Sequence, residues 1–391
     1  MLNIDDFKRF SVVETPFYYY DMALFRRTLD QVSRTAGQYS IKTHYAVKAN
    51  SEERILRTIS AAGIGADAVS ANEIILAVKC GFAPSDIMFA GVGKTDREIR
   101  TALEAGIGCF NVESLPEMDA INGIAGSMGI IAPVALRINP DIDPHTHKYI
   151  TTGLEENKFG ISEFDFEAAV SKLADCRNLN LTGLQVHVGS QITDVENVFT
   201  TESRCAREIV SYFESKGLTI GHVDLGGGLG VDYDDPDANP VAEFETWFKA
   251  IRTYFPEGCG YELHVEPGRA LVAQCSSLIT SVVYVKESGT KTFLITDAGM
   301  NDLIRPALYG AFHKVENLTA GYVRKDMDEN RVYDVVGPIC ESSDVWGERR
   351  MLQESSRGDL LAIRTAGAYG QTMASRYNYR DLAPAVYSDE L

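Results

Sequence analysis

His44-Tyr45-Ala46-Val47-Lys48-Ala49-Asn50 is the stretch from which the chain can be read. Residues Ile41 to Val47 have the apolar alternation of a short buried strand, and the run ends in a single lysine. Ser51-Glu52-Glu53-Arg54 follows, and Ile55, Leu56 and Ile59 then recur at helical spacing. In α/β barrels the carboxyl ends of the strands carry the chemistry. A lysine held there against apolar neighbours gives up its proton more readily than one on the surface. Its neutral amine can form a Schiff base with a carbonyl. The plain alternative is a solvated lysine just past a strand.

The same unit repeats outward from this point. Strand-like runs fall at 41–47, 64–69, 86–90, 107–112, 132–138, 183–188, 221–225 and 261–266. Helical patterns fill most of the gaps, at 73–79, 97–105, 115–123, 164–173, 202–217 and 241–254. Gly81, Gly106 and Gly217 sit where helix C-termini are expected. Eight strands alternating with helices over about 240 residues match a (β/α)8 TIM barrel, with a doubly wound open sheet as the competing architecture. After Arg269 the texture changes. Runs rich in Val, Ile, Leu and Tyr at 271–286, 292–296, 331–336, 359–364 and 384–387 are separated by glycine and charged turns. The expected organisation is a barrel over 21–269 and a second, C-terminal mostly-β domain over 270–391. The aromatic run Phe17-Tyr18-Tyr19-Tyr20, before a helix cap at Asp21, is expected to pair with that second domain, so 1–20 is assigned to it.

Composition narrows the function classes. The 391 residues are 45% apolar, and 37 basic against 55 acidic side chains give a formal net charge of -18. With no basic stripe, neither nucleic acid nor an anionic membrane is expected as a partner. The acidic start Met1-Leu2-Asn3-Ile4-Asp5-Asp6 has no apolar core segment, so no signal peptide is expected. No apolar run reaches the ~20 residues of a membrane helix. Seven scattered cysteines without a CxxC pair point to a reducing, cytoplasmic setting and no structural metal.

Several strand ends carry polar residues with a chemical reading. Gly226-Gly227-Gly228, with Gly230 beyond, can turn backbone N–H groups into a concavity for phosphate, or be a bare tight turn. In Glu266-Pro267-Gly268-Arg269 the carboxylate can face a protonated pyridine nitrogen, and the guanidinium can grip a carboxylate or phosphate. Alternatively the two residues pair with each other. His187 precedes Gly189-Ser190-Gln191. Its ring can stack on a planar cofactor, and the serine can bond phosphate. Asp67 closes the second strand, and Arg137 the fifth, ahead of Asn157-Lys158-Phe159-Gly160. His145 and His147 lie in the same loop but do not by themselves make a metal site. Beyond the barrel, Cys340-Glu341 stand in a polar loop, where the thiol can serve as acid or proton donor. Arg305 and Tyr309 are four apart and can share a helical face. Gly367-Ala368-Tyr369-Gly370 offers a turn with a phenol. Lysine, histidine, glycine cradle and glutamate together are what pyridoxal phosphate requires: a Schiff base, an acid partner for the ring nitrogen and a phosphate pocket.

The motifs Tyr45-Ala46-Val47-Lys48-Ala49-Asn50, His187-Val188-Gly189-Ser190-Gln191, Gly226-Gly227-Gly228-Leu229-Gly230, Glu266-Pro267-Gly268-Arg269, Cys340-Glu341-Ser342 and Gly367-Ala368-Tyr369 run through essentially the whole chain. It resembles the alanine-racemase-like (fold-type III) pyridoxal 5'-phosphate enzymes, and within them the amino-acid decarboxylases. That resemblance implies a barrel followed by a β domain, and a homodimer whose active sites are shared between subunits. It implies that Lys48 carries the cofactor, with His187 on the ring and Glu266 at its nitrogen. Asp67 belongs to the same cofactor set, and Ser190, Gly226 to Gly228 and Tyr369 surround the phosphate. Arg269, Arg305, Tyr309 and Tyr369 are the implied substrate contacts. Cys340 and Glu341 come from the partner subunit, Glu341 to the distal amino group. Ornithine-type members tend to carry aspartate after that cysteine. Glu341, with Arg305 to read a second carboxylate, suits meso-diaminopimelate, so the expected reaction is its decarboxylation to L-lysine and carbon dioxide, the last step of lysine biosynthesis. Decarboxylation of ornithine, arginine or carboxynorspermidine is the alternative, with an amino-acid racemase behind it. Arg376 stands where the family's terminal signature usually has asparagine.

Overall fold

The computed structural model describes residues 2–140, 158–324 and 330–391. His145, His147 and Asn157 lie outside the described residues. The chain divides into two compact units, residues 29–230 with 243–268, and residues 1–28 with 231–242 and 269–391.

The first strand, β1 (Phe17–Tyr20), belongs to the second of these units. The first unit is a closed barrel of eight parallel strands: β2 (Ile41–Ala46), β3 (Gly65–Ala68), β4 (Ile87–Phe89), β5 (Cys109–Val112), β6 (Ala132–Ile138), β7 (Leu179–Val186), β8 (His222–Asp224) and β9 (Glu262–Val265). β9 closes on β2 through the register Ile41↔Leu263, Lys42↔His264 and Thr43↔Val265. Closure, rather than an open doubly wound sheet, leaves no strand edge unpaired. The connecting helices start where the sequence supplies caps. Thr95 and Glu98 form a capping box for Asp96–Ala105, and Ser70 and Ser114 accept N–H bonds at the starts of Ala71–Lys79 and Leu115–Met128. The helix expected from 202 begins earlier, at Val195, and runs to Ser215. Its first two turns bury Val195, Val198 and Phe199 among polar residues, which hides the period.

Alternate residues of a strand share a face, and this sorts the barrel interior into layers. Residues Gly65, Cys109, Ala135, Gly183, His222 and His264 are followed two positions on by Asp67, Asn111, Arg137, Gln185, Asp224 and Glu266. The first set is small or histidine. The second is entirely polar and buried.

The second unit is an eight-stranded sheet. Its strands after the barrel are β10 (Ser276–Ser288), β11 (Lys291–Thr296), β12 (Val315–Asn317), β13 (Asn330–Val336), β14 (Val345–Gln353), β15 (Leu360–Ile363) and β16 (Ala385–Tyr387). Six follow the order β12-β15-β10-β11-β13-β14, and β1 pairs antiparallel with β10 and parallel with β16. The apolar run read from 271 as one strand starts instead as a buried helical turn, Arg269–Val272. A short continuous apolar run does not distinguish strand from helix by its period. Residues 231–242 join this unit through Asp237, whose carboxylate takes two bonds from Arg364, at 2.7 and 3.1 Å.

Candidate active site

Within the barrel, β2 ends at Ala46 and a single 3-10 turn, Val47–Ala49, carries Lys48 just past the strand end. The Lys48 Nζ lies 3.0 Å from Asp67 Oδ2. Asp67 is fully buried, and its Oδ1 has no hydrogen-bond partner among the described residues. A half-exposed amine over a buried carboxylate is a reactive group held in place on one side and open on the other.

Glu266, just past β9, accepts N–H bonds from Asn111 at 3.2 Å and Gln185 at 2.9 Å. Burial, followed by the nearby Asp224 and Asp67 carboxylates, pushes its pKa well above the usual carboxylate range, against the pull of Lys48 and Arg137. Asp224, also fully buried, takes the Gly226 N–H at 2.8 Å and is pushed up to about 7, chiefly by burial. Asn111, Gln185 and Asp224 were not singled out from sequence. Their signal is a buried polar side chain at the last or next-to-last position of a strand.

His187, just past β7, is half-buried. Its Nδ1 accepts the Gly227 N–H at 3.2 Å, which requires a ring unprotonated at that nitrogen. Burial, then Arg137 and Lys48, holds its pKa well below the ordinary value, so the ring is neutral. The glycine turn is shaped by close approach. A Cβ on Gly226 would stand 2.7 Å from His187 Nδ1, one on Gly227 would run into the Glu266 carbonyl, and one on Gly228 would meet the Gly189 carbonyl at 2.5 Å. Gly226 and Gly228 also have φ of 58° and 108°, where L side chains are strained. Ser190 is half-buried on the adjoining loop. Arg137 bonds Glu113 at 2.8 Å and lies over the Phe159 ring, so it anchors the chain at 158–160.

The second unit gathers another set. Arg269 and Arg305 are both buried. Arg269 donates to the Tyr233 hydroxyl at 2.6 Å and lies 4.9 Å from the centre of the Tyr369 ring. Arg305 lies 4.8 Å from the centre of the Tyr233 ring and bonds His313 Nε2 at 2.7 Å. Tyr309 follows on the same short helix, Arg305–Tyr309. Tyr369 adopts φ 55°, a left-handed conformation that costs a non-glycine residue energy and aims its side chain. Tyr233 and His313 were missed in the sequence, where they look like ordinary loop residues. Cys340 and Glu341 are exposed on the loop between β13 and β14. The buried Asp344 shapes that loop by accepting the Ile339 and Met300 N–H groups, both at 2.7 Å. Arg376 is exposed.

A barrel with an acid-paired lysine at one strand end, a neutral histidine and glutamate at others, and a glycine cradle between them defines an enzyme that works through a carbonyl cofactor. A family model described as pyridoxal-dependent decarboxylase, pyridoxal binding domain, matches residues 23–273, and the chain belongs to that family. Its curated relatives include the diaminopimelate decarboxylase of Bacteroides thetaiotaomicron, 47% identical over 392 residues and 100% of both chains. That of Vibrio cholerae is 43% identical over 96% of this chain and 88% of its own. Among solved structures, diaminopimelate decarboxylase from Helicobacter pylori complexed with L-lysine matches with a TM-score of 0.89 at 36% identity, covering 98% of this chain and 94% of that one.

Proposed function

We propose that this enzyme decarboxylates meso-diaminopimelate to L-lysine and carbon dioxide, as the terminal step of lysine biosynthesis, with pyridoxal phosphate as cofactor. The single observation that carries the reading is the barrel constellation of Lys48, Asp67, His187, the Gly226–Gly228 turn and Glu266, together with full-length similarity to enzymes of that name. The site suits the cofactor on physical grounds. The glycine turn is a cradle that any Cβ would fill, and Asp67 Oδ1, Asn111 Oδ1, Gln185 Oε1 and Asp224 Oδ2 are buried polar atoms without partners among the described residues. Residues 21–269 would be the cofactor-binding domain, and residues 1–20 with 270–391 the β domain.

When bound, the cofactor supplies an electron sink for the carbanion left as carbon dioxide departs. The protein's part is to bind, orient and manage protons. Lys48 would be the covalent anchor, held by Asp67. Neutral His187 would lie against the cofactor ring, and Glu266 would hold a proton at the ring nitrogen. Ser190, the Gly226–Gly228 backbone and Tyr369 would hold the phosphate. Arg269, Arg305 and Tyr309, with Tyr369, hold the substrate's remote end, so that binding energy fixes the orientation of the leaving carboxylate. Cys340 or Lys48 would donate the proton that replaces the departing carboxylate, and Glu341 would take the distal ammonium. A homodimer is inferred from the family resemblance; Cys340 and Glu341, exposed on a loop pinned by Asp344, would then reach a partner's site.

Three measurements test this. Carbon dioxide and L-lysine should be released from meso-diaminopimelate in strong preference to release from ornithine or arginine, and Lys48→Ala should lose both turnover and the visible absorbance of bound cofactor. Turnover of ornithine or arginine alone would overturn the substrate, and a persisting absorbance the anchor. Mixing inactive Lys48→Ala and Glu341→Ala copies should restore about a quarter of wild-type activity through hybrid dimers, one intact site in half of the molecules. No recovery after subunit exchange would refute the shared site.

A further inference from the structure

One aromatic side chain touches both arginines assigned to the substrate's remote end, and the proposed reaction gives it no part. Tyr233 is buried, as are Arg269 and Arg305. Its hydroxyl accepts an Arg269 Nη1–H bond at 2.6 Å. Both guanidinium groups also lie over its ring, with the central carbon 4.8 Å from the ring centre for Arg305 and 6.0 Å for Arg269. The ring in turn meets His313 edge-on, at 5.1 Å between centres and 83° between planes. His313 Nε2 holds Arg305 from its other side-chain contact, at 2.7 Å. The loop that carries Tyr233 is fixed twice. Asp232 accepts the Asp234 and Asp235 N–H groups at 2.9 and 2.8 Å and the Asn239 amide at 3.0 Å. Arg364 then clamps Asp237 with two bonds.

Two buried guanidinium groups over one ring repel each other. A carboxylate between them would relieve the repulsion and cancel one of the charges. A phenol attracts both, through the negative face of its ring and its hydroxyl oxygen, and adds no charge of its own. Among the described residues no carboxylate pairs with Arg305, and its Nε has no hydrogen-bond partner. We propose that Tyr233 is a specificity-determining positioning residue, which holds Arg269 and Arg305 side by side without neutralising them and so leaves their charge for the second carboxylate of the substrate. This rests on the reading that the two arginines hold the substrate's remote end. It adds the reason for their selectivity. A ligand without that carboxylate leaves buried donors unanswered, and the loss falls on binding rather than on the chemical step.

The test compares two ligands on the cofactor-loaded enzyme by calorimetry: L-lysine, and cadaverine, which is L-lysine without its carboxylate. Wild type should bind L-lysine at least about tenfold more tightly than cadaverine. Tyr233→Phe keeps the ring and drops the hydroxyl, and should weaken L-lysine about tenfold, the loss of one hydrogen bond to a charged group. Tyr233→Leu drops the ring as well and should weaken L-lysine about a hundredfold. Cadaverine should bind both variants within about twofold of wild type, because the comparison isolates the contact between the arginines and the carboxylate. With meso-diaminopimelate the variants should raise KM and leave kcat and the cofactor absorbance unchanged, the mark of lost ground-state binding. Equal weakening of both ligands would reduce Tyr233 to a packing residue, and unchanged L-lysine binding in both variants would remove it from the support of the arginines; either result overturns the proposal. A wild type with no preference for L-lysine would overturn the reading of the arginines themselves, and the proposal with it, before any variant is compared.

Discussion

Arg305 is a buried guanidinium whose partners are an aromatic face and an imidazole. Among the described residues no carboxylate pairs with it, and Arg269 is a second buried cation close enough to lower its pKa, after burial. Two buried cations in such a setting favour an anionic ligand. The His313 ring, held down to about 3 by burial and by Arg305, stays neutral above that pH. It donates from Nδ1 to the Arg364 carbonyl at 2.8 Å, leaving Nε2 as the acceptor for Arg305. The arginine is therefore held in one pose throughout the working pH range. Arg305→Gln should raise KM for meso-diaminopimelate about tenfold or more, the cost of a lost charge-assisted contact, with a smaller change in kcat and unchanged cofactor absorbance. Steady-state kinetics checks this. An unchanged KM would remove Arg305 from the substrate contacts.

At the scale of elements, the barrel strands were legible because parallel strands buried on both sides make continuous apolar runs separated by glycine-ended helices. Lys48, His187 and Glu266 were legible for a related reason: each is a polar residue at or just past the end of such a run. Asn111, Gln185 and Asp224 were not, because they lie inside strands, where one polar residue looks like ordinary alternation toward solvent. In a closed barrel the inward face never meets solvent, so a polar residue there marks the site. That inference needs the closure, which no single strand declares. In the second unit the two strands that sequence reading passed over, β12 and β14, are the two ends of the six-strand path. Edge strands carry charge on purpose, and Val345–Gln353 contains Glu348, Arg349 and Arg350 in succession. The same logic hid Tyr233: its loop is joined to the second unit by the Asp237–Arg364 pair, between partners 127 residues apart.

For the molecule as a whole, the layer beneath the site sets the response to acid. His222 and His264, on neighbouring strands, stack with centroids 4.7 Å apart and planes 13° apart, and His44 lies 4.9 Å from His264. All three are buried, and a Cβ on Gly65 or Gly183 would strike the His44 or His222 ring, which ties the layer to the small residues opposite. Burial holds His222 down to about 4 and His264 to about 2, with repulsion between the rings adding to it; burial lowers His44 as well. Lys42 acts in the same direction on all three, while Glu262 on His222, and Asp67 and Asp86 on His44, oppose it. An unfolded histidine takes up its proton near pH ~6.5, and these do not while the barrel is folded. Stability from this layer is therefore present above pH ~6.5 and is lost as pH falls toward 4, by up to about 1.4 kcal/mol per pH unit for each histidine. Asp224, raised to about 7, has the opposite sign: its contribution declines as pH rises from the ordinary carboxylate range to neutrality. His222→Asn should remove about one proton from the acid limb and leave the neutral limb in place. Urea unfolding from pH 7 to 4.5 should then show a shallower loss of stability in the variant than in wild type. Parallel curves would mean that His222 is already protonated in the folded barrel, which stacking on a second buried imidazole makes costly.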